Sequence, residues 1–195
     1  MQRTNILKNL ATLVLAGALL GGVSCKREVE KVTPKSYIPV EIMESNHVKT
    51  LRVPVYSLTD VKPLECSRYA RLAAEEMFDK KFSATAAWNR RYQDRIAISS
   101  DEINNDHFLG ELVSQGKLKP GMILGVHNPE SHYGKELDQT GNRVKYTHNL
   151  VYLGVGKEGT PLFANQFVEK TSIVDEYWLM DHELTPVEFL DAKTK

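Results

Sequence analysis

Halfway along the chain the residue pattern changes from helical to extended, and that change narrows the fold to a few architectures. Four runs in the second half are rich in β-branched, aliphatic and aromatic residues: GMILGV (121–126), YTHNLVYLGV (146–155), TPLFANQFV (160–168) and SIVDEYWLM (172–180). Gly, Pro and Asn separate them, the punctuation expected between strands. Earlier in the chain, Tyr69, Leu72, Ala73 and Met77 recur at helical spacing, with Arg68, Arg71 and Glu75 off that face. SATAAWNRRYQ (83–93) and SDEINNDHFLGELVSQ (100–115) read as two further helices, the second capped by Ser100 or Asp101. A last short helix is expected over TPVEFLDA (185–192), with Thr185 as its cap before Pro186. LRVPVYSL (51–58) reads as a strand that Pro54 confines to an edge. Helices first and an antiparallel sheet second give an α+β domain with about five or six central strands.

The start of the chain has a different character. MQRTNILKNLATLVLAGALLGGVSC, residues 1–25, carries Arg3 and Lys8, then an apolar stretch from Leu10 to Leu20, then small residues. That is the layout of a bacterial export signal, and the stretch is shorter than the ~20 apolar residues of a membrane-spanning helix. Ending on Cys25, it resembles a lipoprotein signal, in which this cysteine becomes the acylated first residue. Val23 and Ser24 fit that pattern, while Gly22 stands where leucine is usual. The expected location is the bacterial cell envelope, as a periplasmic or outer-membrane lipoprotein anchored through Cys25, with ordinary secretion as the alternative. Residues 26–50 mix charge with Pro34 and Pro39, show no sustained period, and read as a tether. This leaves residues 51–195 for the domain.

A formal net charge of zero argues against a nucleic-acid partner, because no basic excess is available to neutralise phosphates.

If Cys25 carries lipid, Cys66 is the one remaining thiol of the chain. It opens the first helical run, where the positive end of the helix dipole favours thiolate over thiol. A small core residue is the plain reading of that position. A nucleophile is the other, and it needs a base. His148 lies in YTHNLVYLGV, a strand apolar on both sides, where both ring nitrogens need partners. The next strand places Asn165 and Gln166 inside an apolar run, where an unpaired amide would cost about 1–3 kcal/mol. Cysteine, histidine and amide make a chemically complete set: the thiolate attacks a carbonyl, the imidazolium protonates the leaving group, and the amide fixes the ring.

ECSRYA (65–70), LKPGMILGV (118–126) and THNLVYLGVG (147–156) come in an order that resembles the NlpC-type papain-like cysteine peptidases of bacterial cell envelopes. The resemblance spans about residues 50–170 and implies a papain-like fold, with helices packed on a central antiparallel sheet. It also implies a thiol-protease-type hydrolase that cleaves an amide or peptide bond, with peptidoglycan stem peptides as the expected substrate. By position Cys66 is the nucleophile, His148 the base and Asn165 the third polar residue, with Gln166 second. Tyr56 is the nearest match to a tyrosine that lines the family's site. The chain departs from the pattern at Glu65, Arg68, Met122 and Asn149-Leu150. Arg68, bulky beside the expected cleft, would select an acidic substrate group or narrow access. A catalytically inactive, lipid-anchored module that binds cell-wall peptides or a protein is the alternative.

Between the first two strands lies HNPESHYGKELDQTGNRVK (127–145), a long polar loop. His127, His132 and Glu130 at its mouth provide fewer ligands than the four usual in a structural zinc site. No metal or other cofactor is expected, and His127 reads instead as a substrate contact.

Overall fold

A computed structural model of the chain describes residues 32–57, 66–82, 96–105, 109–131, 146–167 and 170–192. These belong to one compact unit, Val32–Lys195. In chain order the elements are β1 (Ser36–Glu44), β2 (His47–Val55), α1 (Cys66–Phe78), β3 (Ile96–Ile98), α2 (Ser100–Asn105) and α3 (Leu109–Ser114). Then follow β4 (Ile123–His127), β5 (His148–Gly156), β6 (Pro161–Phe167), β7 (Lys170–Asp175), α4 (Glu176–Asp181) and β8 (Thr185–Leu190). All eight strands join one sheet, and every pairing in it is antiparallel. The α+β class follows. No helix among the described residues is long and apolar enough to cross a membrane.

The sheet is organised around β5. One path runs β2-β1-β5-β4-β8-β3, and β6 pairs with β5 and then with β7. Val151 pairs with Ile123 of β4 and with Ala164 of β6, so those strands hold opposite edges of β5. Alternation along the strands then creates two cores. On one face Val151, Leu153, Ile123, Ala164 and Leu190 pack under Tyr69, Ala70 and Ala73 of α1. On the other, Leu150, Tyr152, Leu124, Phe163 and Phe189 pack with Leu109 and Leu112 of α3 and Leu179 of α4. The small residues Ala70, Ala73 and Ala74 are all fully buried, which lets α1 lie close to the sheet.

Several elements differ from the sequence reading. Residues 36–50, expected as tether, form β1 and the first half of β2, and LRVPV continues as the second half of β2. The hairpin closes through Ser45 and Asn46, both at positive φ (49° and 68°), as a two-residue turn with primed geometry requires. Residues 47–50 of β2 are all exposed, and the alternation of Ile38, Val40 and Ile42 in β1 is short and interrupted by Pro39, so it gives a weak strand signal. Pro54 does lie on an edge strand, as expected.

TPVEFL is β8 rather than a helix. Thr185-Pro186 resembles a cap and first turn, yet Pro186 sits at a register shift against Val126, where a missing N–H is tolerated. The run SIVDEYWLM is part strand and part helix: Asp175 ends β7, and its side chain accepts from Trp178 N at 3.0 Å to cap α4. The cap of α2 is Ser99, one residue earlier than expected. Its Oγ accepts from Glu102 N, and the Glu102 carboxylate accepts from Ser99 N at 2.9 Å, a reciprocal capping box. The single helix expected over 100–115 is represented by α2 and α3. The helix expected over 83–93 lies outside the described residues.

Candidate active site

On the face that carries α1, the sheet changes from apolar to polar along its strands. One cross-strand row, Ala164–Val151–Ile123–Leu190, belongs to the apolar core beneath the helix. Two residues further along, the row becomes Asn149–Gly125–Glu188, and both polar members are buried. Gly125 is required there because Tyr146 lies over it: a Cβ at position 125 would come within 2.5 Å of the tyrosine ring. The first residue of α1, Cys66, meets this polar row at Asn149, whose side-chain Nδ2 donates to Sγ at 3.7 Å.

At the same end of the sheet, two neighbouring strands stop pairing. The β5–β6 ladder runs from Val155↔Pro161 to Val151↔Ala164 and goes no further, although both strands continue. β6 remains paired with β7 out to Phe167. Backbone groups released from a ladder need other partners, and the Asn149 main-chain N–H finds one in the Cys66 sulfur. His148 and Asn149 point to opposite faces of β5, yet both reach Cys66 because the thiol sits at the end of the sheet, where the strands separate.

Across the split, Asn165 Oδ1 lies 2.6 Å from His148 Nε2. The acceptor oxygen places the proton on Nε2 and leaves Nδ1 for Cys66, with which the imidazole is hydrogen-bonded. Asn165 is in turn held by a bond from its Nδ2 to Ser172 Oγ of β7 at 3.3 Å. Phe167 stands edge-on to the His148 ring, with centroids 5.6 Å apart, and packs on Trp178. His148 is 6% exposed and Asn165 0%, so water competes little for these contacts.

Burial is the largest influence on the Cys66 thiol and pushes its pKa up. The hydrogen bond and charge of His148, with both Asn149 N–H groups, outweigh it and leave the pKa lowered. At His148 burial pushes the pKa down, while the bond to and charge of Cys66, and the bond to Asn165, leave it raised. These are two sides of one coupling: each group favours the charged form of the other. Both shifts favour the thiolate–imidazolium form of the pair. Such a pair can add sulfur to a carbonyl and deliver a proton to the group expelled.

Cys66, His148 and Asn165 are thus brought together as the sequence suggested. Gln166 is engaged elsewhere, accepting from Thr171 Oγ1 at 2.6 Å. Tyr56 is buried in the core, edge-on to Tyr69 of α1 at 6.0 Å, and burial pushes its hydroxyl pKa up. Arg68 sits half-buried in the first turn of α1. His127 ends β4 next to Val126, the partner of His148, and its Nδ1 is buried without a hydrogen-bond partner among the described residues. Cys25 and His132 lie outside the described residues. No three His, Cys, Asp or Glu side chains among those residues converge as metal ligands.

Sequence reasoning missed Asn149, which it treated only as a departure from a motif. The signal was available, because an amide inside a run as apolar as NLVYLGV needs partners just as Asn165 does. It also passed over Glu188, which is buried in the same cross-strand row. Comparison with models of protein families, with characterised proteins and with solved structures gave no match.

Proposed function

We propose that this chain is a cysteine hydrolase of the bacterial cell envelope, papain-like in fold, that cleaves an amide or peptide bond in peptidoglycan stem peptides. The observation that carries the proposal is the buried contact of His148 Nε2 with Asn165 Oδ1, which turns Nδ1 to the Cys66 thiol at the start of α1. In the proposed reaction the Cys66 thiolate attacks the scissile carbonyl carbon, forming a C–S bond while the C=O π pair moves onto oxygen. Collapse of that intermediate breaks the C–N bond, and the His148 imidazolium gives its proton to the departing amine. Water then attacks the thioester with His148 as base, releasing the acid and regenerating the pair.

The resemblance of the Cys66 and His148 motifs to NlpC-type peptidases, together with the lipoprotein-like N-terminus, supports the choice of substrate and an anchor on Cys25. The test is incubation of the full-length chain, in detergent, with purified muropeptides and mass analysis of the products. Cleavage that disappears in Cys66→Ala supports the assignment. Cleavage retained by Cys66→Ala would sink it.

A further inference from the structure

Two N–H groups of one residue converge on the Cys66 sulfur: the main-chain N–H of Asn149 and its side-chain Nδ2, the latter at 3.7 Å. Asn149 is 1% exposed, and its Oδ1 has no hydrogen-bond partner among the described residues. A buried amide usually satisfies both its ends. Here only the donor end is used, on the nucleophile, so no scaffold bond at Oδ1 accounts for the group. Its main-chain N–H is equally available because the β5–β6 ladder has stopped two residues before it.

We propose that Asn149 forms the oxyanion hole of the reaction at Cys66, through its main-chain N–H and its side-chain amide; this rests on Cys66 being the nucleophile. When sulfur bonds to a carbonyl carbon, the carbonyl oxygen becomes an anion adjacent to that sulfur. Donors that already surround the sulfur at van der Waals range are then within hydrogen-bond reach of the oxygen. They lose a weak bond to thiolate and gain a stronger one to oxyanion, so they favour the intermediate over the resting pair. Asn149 is buried, which strengthens each such bond and limits the cost of reorienting water. On collapse the electron pair returns to the C=O bond as the leaving group departs, and the donors revert to sulfur once hydrolysis of the thioester frees the thiolate.

The test separates two reactions of the same thiol. Alkylation by iodoacetamide displaces iodide and builds no charge on a carbonyl oxygen. Acylation by p-nitrophenyl acetate forms a C–S bond, passes through an oxyanion, and expels p-nitrophenolate. Both are followed in the full-length chain in a Cys25→Ser background, leaving Cys66 as the single thiol of the two. Rates are taken on the alkaline plateau, where the thiol is fully ionised and a change in its pKa no longer alters the thiolate fraction. Asn149→Ala and Asn149→Leu, the latter filling the same space, are expected to lose about 100-fold or more in acylation. Their plateau alkylation is expected to be no slower than that of the parent, since a thiolate relieved of hydrogen bonds is at least as nucleophilic.

Equal losses in both reactions would overturn the proposal, since Asn149 would then only support the thiol or its packing. Full acylation in both variants would overturn it as well. If the parent itself is neither acylated nor more reactive than a free thiol at low pH, the nucleophile reading fails and the oxyanion hole falls with it. Near-ultraviolet circular dichroism of each variant identifies one that has lost its fold, and the other then decides.

Discussion

His148 Nε2 and Asn165 Oδ1 meet at 2.6 Å between two strands that no longer pair with each other. Side chains thus bridge a gap that backbone bonds have left. The parting of β5 from β6 gives Cys66 access to the main-chain N–H of Asn149, and the Asn165 bond keeps the histidine facing the thiol. A continuous ladder would have used that N–H, and the three groups would not converge.

Removing the bridge affects both stability and reactivity. Asn165→Ala leaves the buried Nε2–H without its acceptor, a loss of about 1–3 kcal/mol. With its ring free to turn, the pair is misplaced, and hydrolysis should fall by about 100-fold. Asn165→Asp acts differently, because a carboxylate beside Nε2 favours the imidazolium. His148 would then hold its proton to higher pH, so the alkaline limb of the pH–rate profile moves up. Thermal unfolding and the pH–rate profile of the two variants check both statements. A shift of that limb to lower pH in Asn165→Asp would contradict the assignment of Nε2 to this contact.

Gly125 is a second point of sensitivity. An added Cβ would come within 2.5–3.0 Å of three Tyr146 ring atoms. The ring is buried and has little room to yield, so Gly125→Ala is expected to cost about 1–3 kcal/mol. Tyr146 lies two residues before His148, and its displacement would also carry the base away from the thiol. The low-pH alkylation of Cys66 should therefore drop in the variant even well below its denaturation midpoint. An unchanged midpoint and unchanged low-pH alkylation would show that the ring does not fix this strand.

Much of the site was legible because its residues stand out against apolar surroundings. Cys66 precedes a clear helical period, and His148 and Asn165 are polar residues in runs that otherwise bury on both faces. The hairpin of β1 and β2 was hidden because residues 47–50 are all exposed and the alternation of Ile38, Val40 and Ile42 is short and holds Pro39. β8 was hidden for another reason. Thr185-Pro186 satisfies the chemistry of a helix start, while pairing with β4, a segment about 60 residues earlier, decides the conformation. The role of Asn149 depends on where a ladder between two strands ends. Strand alternation places it on the face opposite His148, and only the split lets both reach one sulfur.

The most direct test of the account is the rate of Cys66 alkylation against pH, in a Cys25→Ser background, with and without His148→Ala. The lowered thiol pKa comes from His148 and Asn149 acting against burial. With His148 present, Cys66 should react well below the ~8.5 of an ordinary thiol. In His148→Ala the largest opposing influence is gone and burial remains, so the profile should move upward, to the ordinary value or beyond it. Superimposable profiles for the two proteins, each like a free thiol, would mean that no ion pair is assembled and would contradict the central claim.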